Sequence, residues 1–198
     1  ERMGKLVSDL LDLSQSGTWR IRPVPVRVLD LLEEVREEFA KSFDGAILVE
    51  APEDLYVLGD PDRLHQVMAN LVSNALKAGA RHVWLRAFDL GDKAVVRVED
   101  DGEGIPEEHL PHLFERFYRV DKARDRERGG SGLGLAIVKA ILEGDGLQLF
   151  PSRKRATASS TLISPRLRAS RTSRRSFPSS SSYPRAFRRA SSRARTVG

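Results

Sequence analysis

The stretch that decides the fold is Asp60-Pro-Asp-Arg-Leu-His-Gln-Val-Met-Ala-Asn-Leu-Val-Ser-Asn-Ala-Leu-Lys77. Asp60 can accept hydrogen bonds from the first backbone N–H groups of a helix, and the proline after it suits the first helical position. The apolar residues recur at intervals of three and four and predict one buried helix face: Leu64, Val67, Met68, Leu71, Val72 and Ala75. Asn70, Asn74 and Lys77 share a different face. The stretch therefore predicts an amphipathic helix with a polar stripe formed by these three residues.

Helices and short strands alternate around this helix. Asp30, three residues before Glu33, predicts a helix start, followed by an apolar inward face: Leu32, Val35, Phe39 and Phe43. Alternation and turn residues predict an edge strand over 20–28 and further strands: 46–49, 55–58, 82–88 and 94–99. A last helix is predicted over 133–142. This mixture, with antiparallel strands adjacent in sequence, predicts an α+β fold: a two-layer sandwich with helices on one sheet face.

The N-terminal segment has its own apolar stripe. Met3, Leu6, Leu10 and Leu13 fall on one side of a helix over 1–15. The spacing is typical of a two-helix seam, and a helix packed on its own domain is the alternative. We expect three parts of the chain: a helical segment, the sandwich and a tail, at 1–17, 18–150 and 151–198.

The tail differs from the rest in charge. Residues 146–198 hold 13 of the 33 Lys and Arg residues and none of the 28 Asp and Glu residues, so residues 1–145 carry a net charge of −8. A segment rich in Ser, Arg and Pro cannot bury enough apolar surface to offset its ordering entropy, and we expect it to be disordered from Pro151 onward.

Two origins of this tail remain open. It is a native segment that binds nucleic acid or an acidic partner with low specificity, or it is the product of a reading-frame shift in GC-rich coding DNA. We favour the shift, because Arg, Ser, Pro and Ala without acidic residues are expected from such DNA read out of frame. In that case the sheet would lack its last strands. Reading the coding DNA in the other frames distinguishes the two origins.

Composition excludes several classes of protein. The absence of cysteine excludes disulfides and thiolate metal sites. No apolar run approaches the roughly 20 residues that a bilayer crossing needs, and no secretory signal opens the sequence. We expect a cytoplasmic setting.

Three segments carry residues suited to chemistry, and the polar stripe is the first. The carboxamide oxygens of Asn70 and Asn74, one turn apart, can hold Mg²⁺ directly or through water. Lys77 can neutralise phosphate. Taken alone, the helix leaves open an ordinary solvent-exposed polar face.

The second segment follows a predicted strand. Asp100 can accept a hydrogen bond from an exocyclic amine, while Gly102 and Gly104 allow the backbone to turn and approach a flat ligand. A simple acidic turn is the alternative. Asp101 and Glu103 are expected only to face solvent.

The third segment is the glycine loop, Gly129-Gly-Ser-Gly-Leu-Gly-Leu135, at the start of a predicted helix. Exposed backbone N–H groups at a helix start favour phosphate. No Gly-Lys-Ser/Thr follows, so the loop is not a P-loop.

In this order, the segments resemble the histidine-kinase branch of the GHKL ATPase superfamily. The likeness is detailed over Asp60–Lys77, the Asp100 turn, Leu113–Arg119 and Gly129–Lys139, and looser over the rest of residues 1–145. It implies a GHKL-type sandwich that binds ATP and Mg²⁺ and transfers the γ-phosphate to a histidine.

The resemblance also implies a role for each site residue. Asn74 is the expected Mg²⁺ ligand, with Asn70 and Lys77 as catalytic residues beside it, and Asp100 is the expected adenine reader. The remaining expected nucleotide-binding residues are Gly102, Gly104, Phe114, Phe117, Gly130, Gly132, Leu133 and Gly134. The two phenylalanines would anchor a lid over about 120–130, and plain core packing is the alternative for both.

Position 70 distinguishes kinase from hydrolase within the superfamily. Hydrolytic members place a glutamate there as general base, whereas Asn70 cannot take a proton at neutral pH. Phosphotransfer is therefore favoured. An ATP hydrolase and a non-catalytic interaction protein remain as alternatives.

The resemblance also implies partners. None of the chain's histidines precedes the first helix, where the family keeps its phosphoacceptor, and we expect structural or surface roles for all four: His65, His82, His109 and His112. Residues 1–17 resemble the second helix of the dimerisation hairpin, so the acceptor helix is expected upstream and this fragment is not expected to phosphorylate itself. Expected partners are a response regulator receiver domain and a second copy of the full-length protein. Nucleic acid is not expected, and membrane contact is expected only through upstream regions.

Overall fold

The computed structural model describes residues 23–91, 93–120 and 131–144, the backbone of 148–152 and 159–165, and residues 4, 7 and 11. All of them belong to one unit, Glu1–Leu167, and a second unit, Arg168–Gly198, lies outside the described residues. The described helices are α1 (Val28–Ala40), α2 (Pro61–Lys77) and α3 (Gly134–Gly144), with a 3₁₀-helix at Glu107–His112. The described strands are β1 (Val24–Arg27), β2 (Ala46–Glu50), β3 (Tyr56–Gly59), β4 (His82–Asp89), β5 (Lys93–Asp100), β6 (Gln148–Ser152) and β7 (Ser159–Pro165).

The strands form two sheets. The larger has five strands in the order β2-β4-β5-β7-β6, and β1 pairs with β3 in a separate two-stranded sheet. Strand β2 runs parallel to β4, and the other neighbours are antiparallel. The β4–β5 hairpin predicted from alternation is confirmed, and its register places Asp100 opposite Val83.

One hydrophobic core joins the helices to the larger sheet. Val83, Leu85 and Ala87 on β4 are buried in the same cluster as the inward residues of α1, α2 and α3. The alternate residues of β4 point to the other sheet face. Burial of each large aliphatic side chain stabilises the fold by about 1.5–3 kcal/mol. The predicted α+β two-layer sandwich is confirmed.

The two long helices begin differently. Asp60 Oδ1 accepts hydrogen bonds from the backbone N–H groups of Asp62 at 3.1 Å and Arg63 at 3.3 Å, so the predicted cap of α2 is confirmed. The predicted cap of α1 at Asp30 is wrong, because α1 begins at Val28, its N-cap residue is Arg27 and no side chain caps it. The Val28 N–H donates instead to the backbone oxygen of Leu55 at 2.9 Å.

The sheet extends beyond its expected end. The boundary at residue 150 falls inside β6, and β7 pairs with β5 from Lys93 opposite Pro165 to Val98 opposite Ser160. The expectation that residues from Pro151 onward are disordered is therefore wrong for 151–152 and 159–165, which lie in strands. The sheet also contains β6 and β7, the last strands that the reading-frame hypothesis would remove. The averaged Ser/Arg composition hid the short run Thr161-Leu-Ile163, whose residues favour strands.

The other terminal predictions fall mainly outside the described residues. Gly4, Val7 and Leu11 are helical, but the predicted stripe from Met3 to Leu13 is not described, and neither is the tail over 166–198. Among the described residues, no helix combines the length and apolar character that a membrane crossing requires.

Candidate functional site

The two asparagines of the α2 polar stripe face Gly134 of the glycine loop. A Cβ atom added to Gly134 would lie 3.3 Å from Asn70 Oδ1 and 3.9 Å from Asn74 Oδ1. Both asparagines are half-buried, and Lys77 follows as the last residue of the helix. Glycine at 134 therefore lets the start of α3 approach two carboxamide oxygens, and the asparagine pair is not a simple solvent-exposed face.

The Asp100 turn contacts the C-terminal end of the same helix. The Glu103 N–H donates to the backbone oxygen of Ala78, the C-cap residue of α2, at 3.0 Å. A Cβ at Gly102 would lie 3.0 Å from both the backbone oxygen and the Cβ of Ala78. Ala78 lies one turn beyond Asn74, about 6 Å along the helix axis. The structure thus places the asparagine pair, the Asp100 turn and Gly134 along the C-terminal half of α2.

Asp100 is a buried carboxylate. Its exposed fraction is 2%. Among residues 23–91, 93–120 and 131–144, no other charged residue is buried. Burial raises the pKa of Asp100 above its ordinary value, the Gly102 N–H on Oδ1 at 2.9 Å acts to lower it, and the charge of Asp101 adds to the rise. A carboxylate accepts several hydrogen bonds. Asp100 can therefore also accept from a buried ligand amine.

The glycine loop is joined to the aromatic segment through Phe117. The Phe117 N–H donates to the backbone oxygen of Gly132 at 2.9 Å. Gly132 has a φ of 70°, and Phe117 has a φ of 64°, which is uncommon for a residue with a side chain. The Phe117 side chain is 57% exposed, and Phe114 is half-buried. Plain core packing is therefore wrong for Phe117.

The other residues expected to bind the nucleotide differ in their surroundings. Leu133 is fully buried, and its N–H donates to Ser131 Oγ at 3.3 Å. Gly130 and, apart from Val120, the predicted lid over about 120–130 lie outside the described residues. Gly104 has no atom within 4 Å of an added Cβ.

Gly132→Ala is expected to destabilise the domain by about 1–3 kcal/mol, because alanine is strained at positive φ. Its Cβ would also lie 2.9 Å from Phe117 Cα. Gly104→Ala is the matched control, with an expected change within about 0.5 kcal/mol. Urea unfolding of both variants checks the difference, and equal stabilities would contradict the strain at Gly132.

Asp101 does not merely face solvent, and that expectation is wrong. Its Oδ1 accepts the backbone N–H groups of Arg81 at 2.7 Å and His82 at 2.8 Å, and its Oδ2 lies 2.7 Å from His82 Nδ1. These contacts join residues about twenty positions apart in sequence, so no local signal predicted them. The backbone oxygen of Ala78 was missed for the same reason.

Each of the four histidines has a polar partner. His65 Nε2 lies 3.3 Å from Glu38, and His112 Nδ1 lies 2.7 Å from Glu115. His109 Nδ1 is 2.6 Å from the Tyr118 hydroxyl, and His82 contacts Asp101. These contacts favour the structural roles predicted for the histidines.

Comparison with known proteins points to one family. The family described as histidine kinase-, DNA gyrase B-, and HSP90-like ATPase matches residues 59–168. The sensor histidine kinase YkoH of Bacillus subtilis (strain 168) is 38% identical over 156 residues, which cover 77% of this chain and 34% of YkoH. The chain spans about a third of the length of the curated relatives it matches.

Solved structures share the same fold. A structure of full-length ShkA in complex with AMPPNP has a TM-score of 0.68 at 28% identity, covering 82% of this chain and 35% of ShkA. The mycobacterial sensor histidine kinase MprB has a TM-score of 0.62 at 26% identity, covering 73% of this chain and 98% of that one.

Proposed function

Because this chain belongs to the family of histidine kinase-, DNA gyrase B- and HSP90-like ATPases, we propose that it acts as the ATP-binding catalytic domain of a sensor histidine kinase. It would transfer the γ-phosphate of ATP to a histidine other than the four of this chain. The observation that supports the proposal is that the asparagine pair, the Asp100 turn and Gly134 lie together along the C-terminal half of α2.

The proposed roles follow from the chemistry of each group. Asp100, buried and already held by the Gly102 N–H, would accept the exocyclic amine of adenine. Asn70 and Asn74 present hard oxygen donors, which suit Mg²⁺, with Asn74 as the direct ligand. Lys77 would neutralise phosphate charge. The backbone N–H groups from Gly130 to Gly134 would receive the phosphates at the start of α3.

Catalysis would depend mainly on positioning and charge. Bound Mg²⁺ would neutralise developing phosphate charge. The chain's own residues would fix the nucleotide at both ends, with Asp100 at the base and Asn74 and Lys77 at the phosphates. The hydrogen bond from the Phe117 N–H to the Gly132 oxygen supports the proposal of a lid between these two residues, whose closure would exclude water.

Titration of the 198-residue chain with ATP and Mg²⁺ tests the proposal, by calorimetry or by the rise in melting temperature on binding. Saturable binding with a preference for adenine is expected. Failure to bind ATP would contradict the proposal and favour a non-catalytic interaction protein.

Steady-state phosphate release is expected to stay at the level of a protein-free control, because Asn70 offers no general base for water. Asn70→Ala is expected to leave this background unchanged. Measurement of released phosphate with excess ATP checks both. If the parent chain releases phosphate and Asn70→Ala abolishes that release, the chain is instead an ATP hydrolase.

The proposed kinase role implies partners beyond this chain. A response regulator receiver domain would accept the phosphoryl group from the modified histidine, and the N-terminal helical segment would contribute to a homodimer of the longer protein. A cytoplasmic setting is proposed for the domain.

A further inference from the structure

Asp101 links the start of β4 to the end of β5, next to Asp100, the proposed adenine-binding residue. Asp101 follows the last residue of β5, and its carboxylate accepts the backbone N–H groups of Arg81 and His82 at the start of β4. The His82 ring contributes a third contact at 2.7 Å, and the Asp101 N–H donates to the His82 backbone oxygen at 3.2 Å. This end of the hairpin is therefore closed by side-chain as well as backbone bonds.

The same turn holds Asp100 in one orientation. Gly102 N–H binds Asp100 Oδ1 at 2.9 Å, and this bond requires a fixed turn from 100 to 102. Asp101 lies between these two residues, so its bonds to β4 restrict the backbone that carries the Asp100 carboxylate. On the other side, the turn is held by the bond from Glu103 to Ala78.

The hydrogen bonds that the Asp101 carboxylate accepts persist at physiological pH. Hydrogen bonds from the His82 backbone and ring lower the pKa of Asp101 to about 2, against an ordinary value of 3.8. Asp101 is therefore an ionised acceptor throughout the neutral range, and charge-assisted hydrogen bonds of this kind are stronger than neutral ones.

We propose that Asp101, with His82, is a positioning residue that fixes Asp100 and thereby sets the preference of the site for an adenine base. The inference rests on the proposed ATP-binding function. Asp101 does not touch the nucleotide in this scheme. Its loss would broaden the orientations of the Asp100 carboxylate, so the bond to the exocyclic amine would weaken while contacts to the phosphates persist.

The test compares ATP with purine riboside triphosphate, which lacks the exocyclic amine, on the 198-residue chain. Asp101→Ala is expected to weaken ATP binding about tenfold and binding of the analogue less than about twofold. Asp101→Asn keeps an oxygen for the two backbone N–H groups and is expected to restore ATP affinity to within about threefold of the parent. A purely structural role would change both nucleotides alike.

Glu38→Gln is the matched control, since Glu38 also pairs with a histidine, His65, but joins α1 to α2. It is expected to leave both affinities unchanged. His82→Ala keeps both backbone bonds and is expected to lower the preference for ATP about threefold, so the test holds even if Asp101→Ala does not fold. If the variants lose equal affinity for the two nucleotides, or lose none, the inference is overturned and the proposed function is not. If the parent chain itself fails to bind ATP, the proposed function is contradicted.

Discussion

Asp100→Asn is expected to weaken ATP binding by about a hundredfold without weakening the fold. A hydrogen bond to a charged group contributes about 1.5–3 kcal/mol, and the amide of asparagine can present a donor where the adenine amine needs an acceptor. A loss of about 2.7 kcal/mol corresponds to a hundredfold in affinity. The asparagine oxygen can still accept the Gly102 N–H, so the turn itself has no reason to open.

Asp89→Asn is the matched control for this variant. Asp89 lies at the other end of the β4–β5 hairpin and accepts the Gly91 N–H at 2.9 Å, the same contact that Asp100 makes with Gly102. Asp89 is exposed and Asp100 is buried. Calorimetric titration of both variants with Mg-ATP is expected to show the loss for Asp100→Asn only. Equal affinities for the two variants would contradict the role of Asp100.

The stability of Asp100→Asn should depend on pH with a defined sign. Burial raises the pKa of Asp100 above its ordinary value of 3.8, so the folded state holds this proton more tightly than the unfolded state. The parent chain therefore loses stability as pH rises above the ordinary value and through the raised pKa. The difference in melting temperature, variant minus parent, is expected to grow as the pH rises above about 4, since asparagine carries no charge to bury.

Local sequence patterns predicted the parts of the site that one element can specify. The spacing of Asn70 and Asn74 needs only the helical period, and Asp60 and Pro61 marked where that helix begins. The glycines at 132 and 134 were recognised as a loop at a helix start. The order of these segments predicted the family, and the family match over 59–168 confirms it.

Contacts between distant segments escaped prediction for a physical reason. The start of α1 is set by the Leu55 backbone oxygen, and Asp101 is held by N–H groups at Arg81 and His82. Backbone donors and acceptors are the same at every residue, so nothing in the sequence marks which of them a fold will bring together. Strand β7 escaped because its short run of strand-favouring residues, Thr161-Leu-Ile163, was averaged into a segment rich in Ser and Arg.

Asn74→Ala is expected to reduce the gain in ATP affinity that Mg²⁺ provides by about a hundredfold. Even partners that only orient a metal ligand typically change metal affinity by 10–100-fold, and Asn74 is proposed as the direct ligand. Its Oδ1 lies 3.9 Å from the position of an added Gly134 Cβ, and is thus at the start of α3, where the phosphates are proposed to bind. Metal-free ATP affinity is expected to change little, because the adenine contact is made elsewhere.

The measurement is a comparison of ATP affinity with Mg²⁺ and with a chelator, for the parent, Asn74→Ala and Gln66→Ala. Gln66 is the matched control, since it carries the same carboxamide group on α2 but one turn before Asn70, where it accepts from Arg63 at 2.9 Å. Gln66→Ala should retain the full effect of Mg²⁺. Because the comparison cancels every contribution that does not involve the metal, a general loss of stability cannot mimic the expected result. An equal gain from Mg²⁺ in all three proteins would mean that Asn74 is not the metal ligand and that the oxygen donors must lie elsewhere.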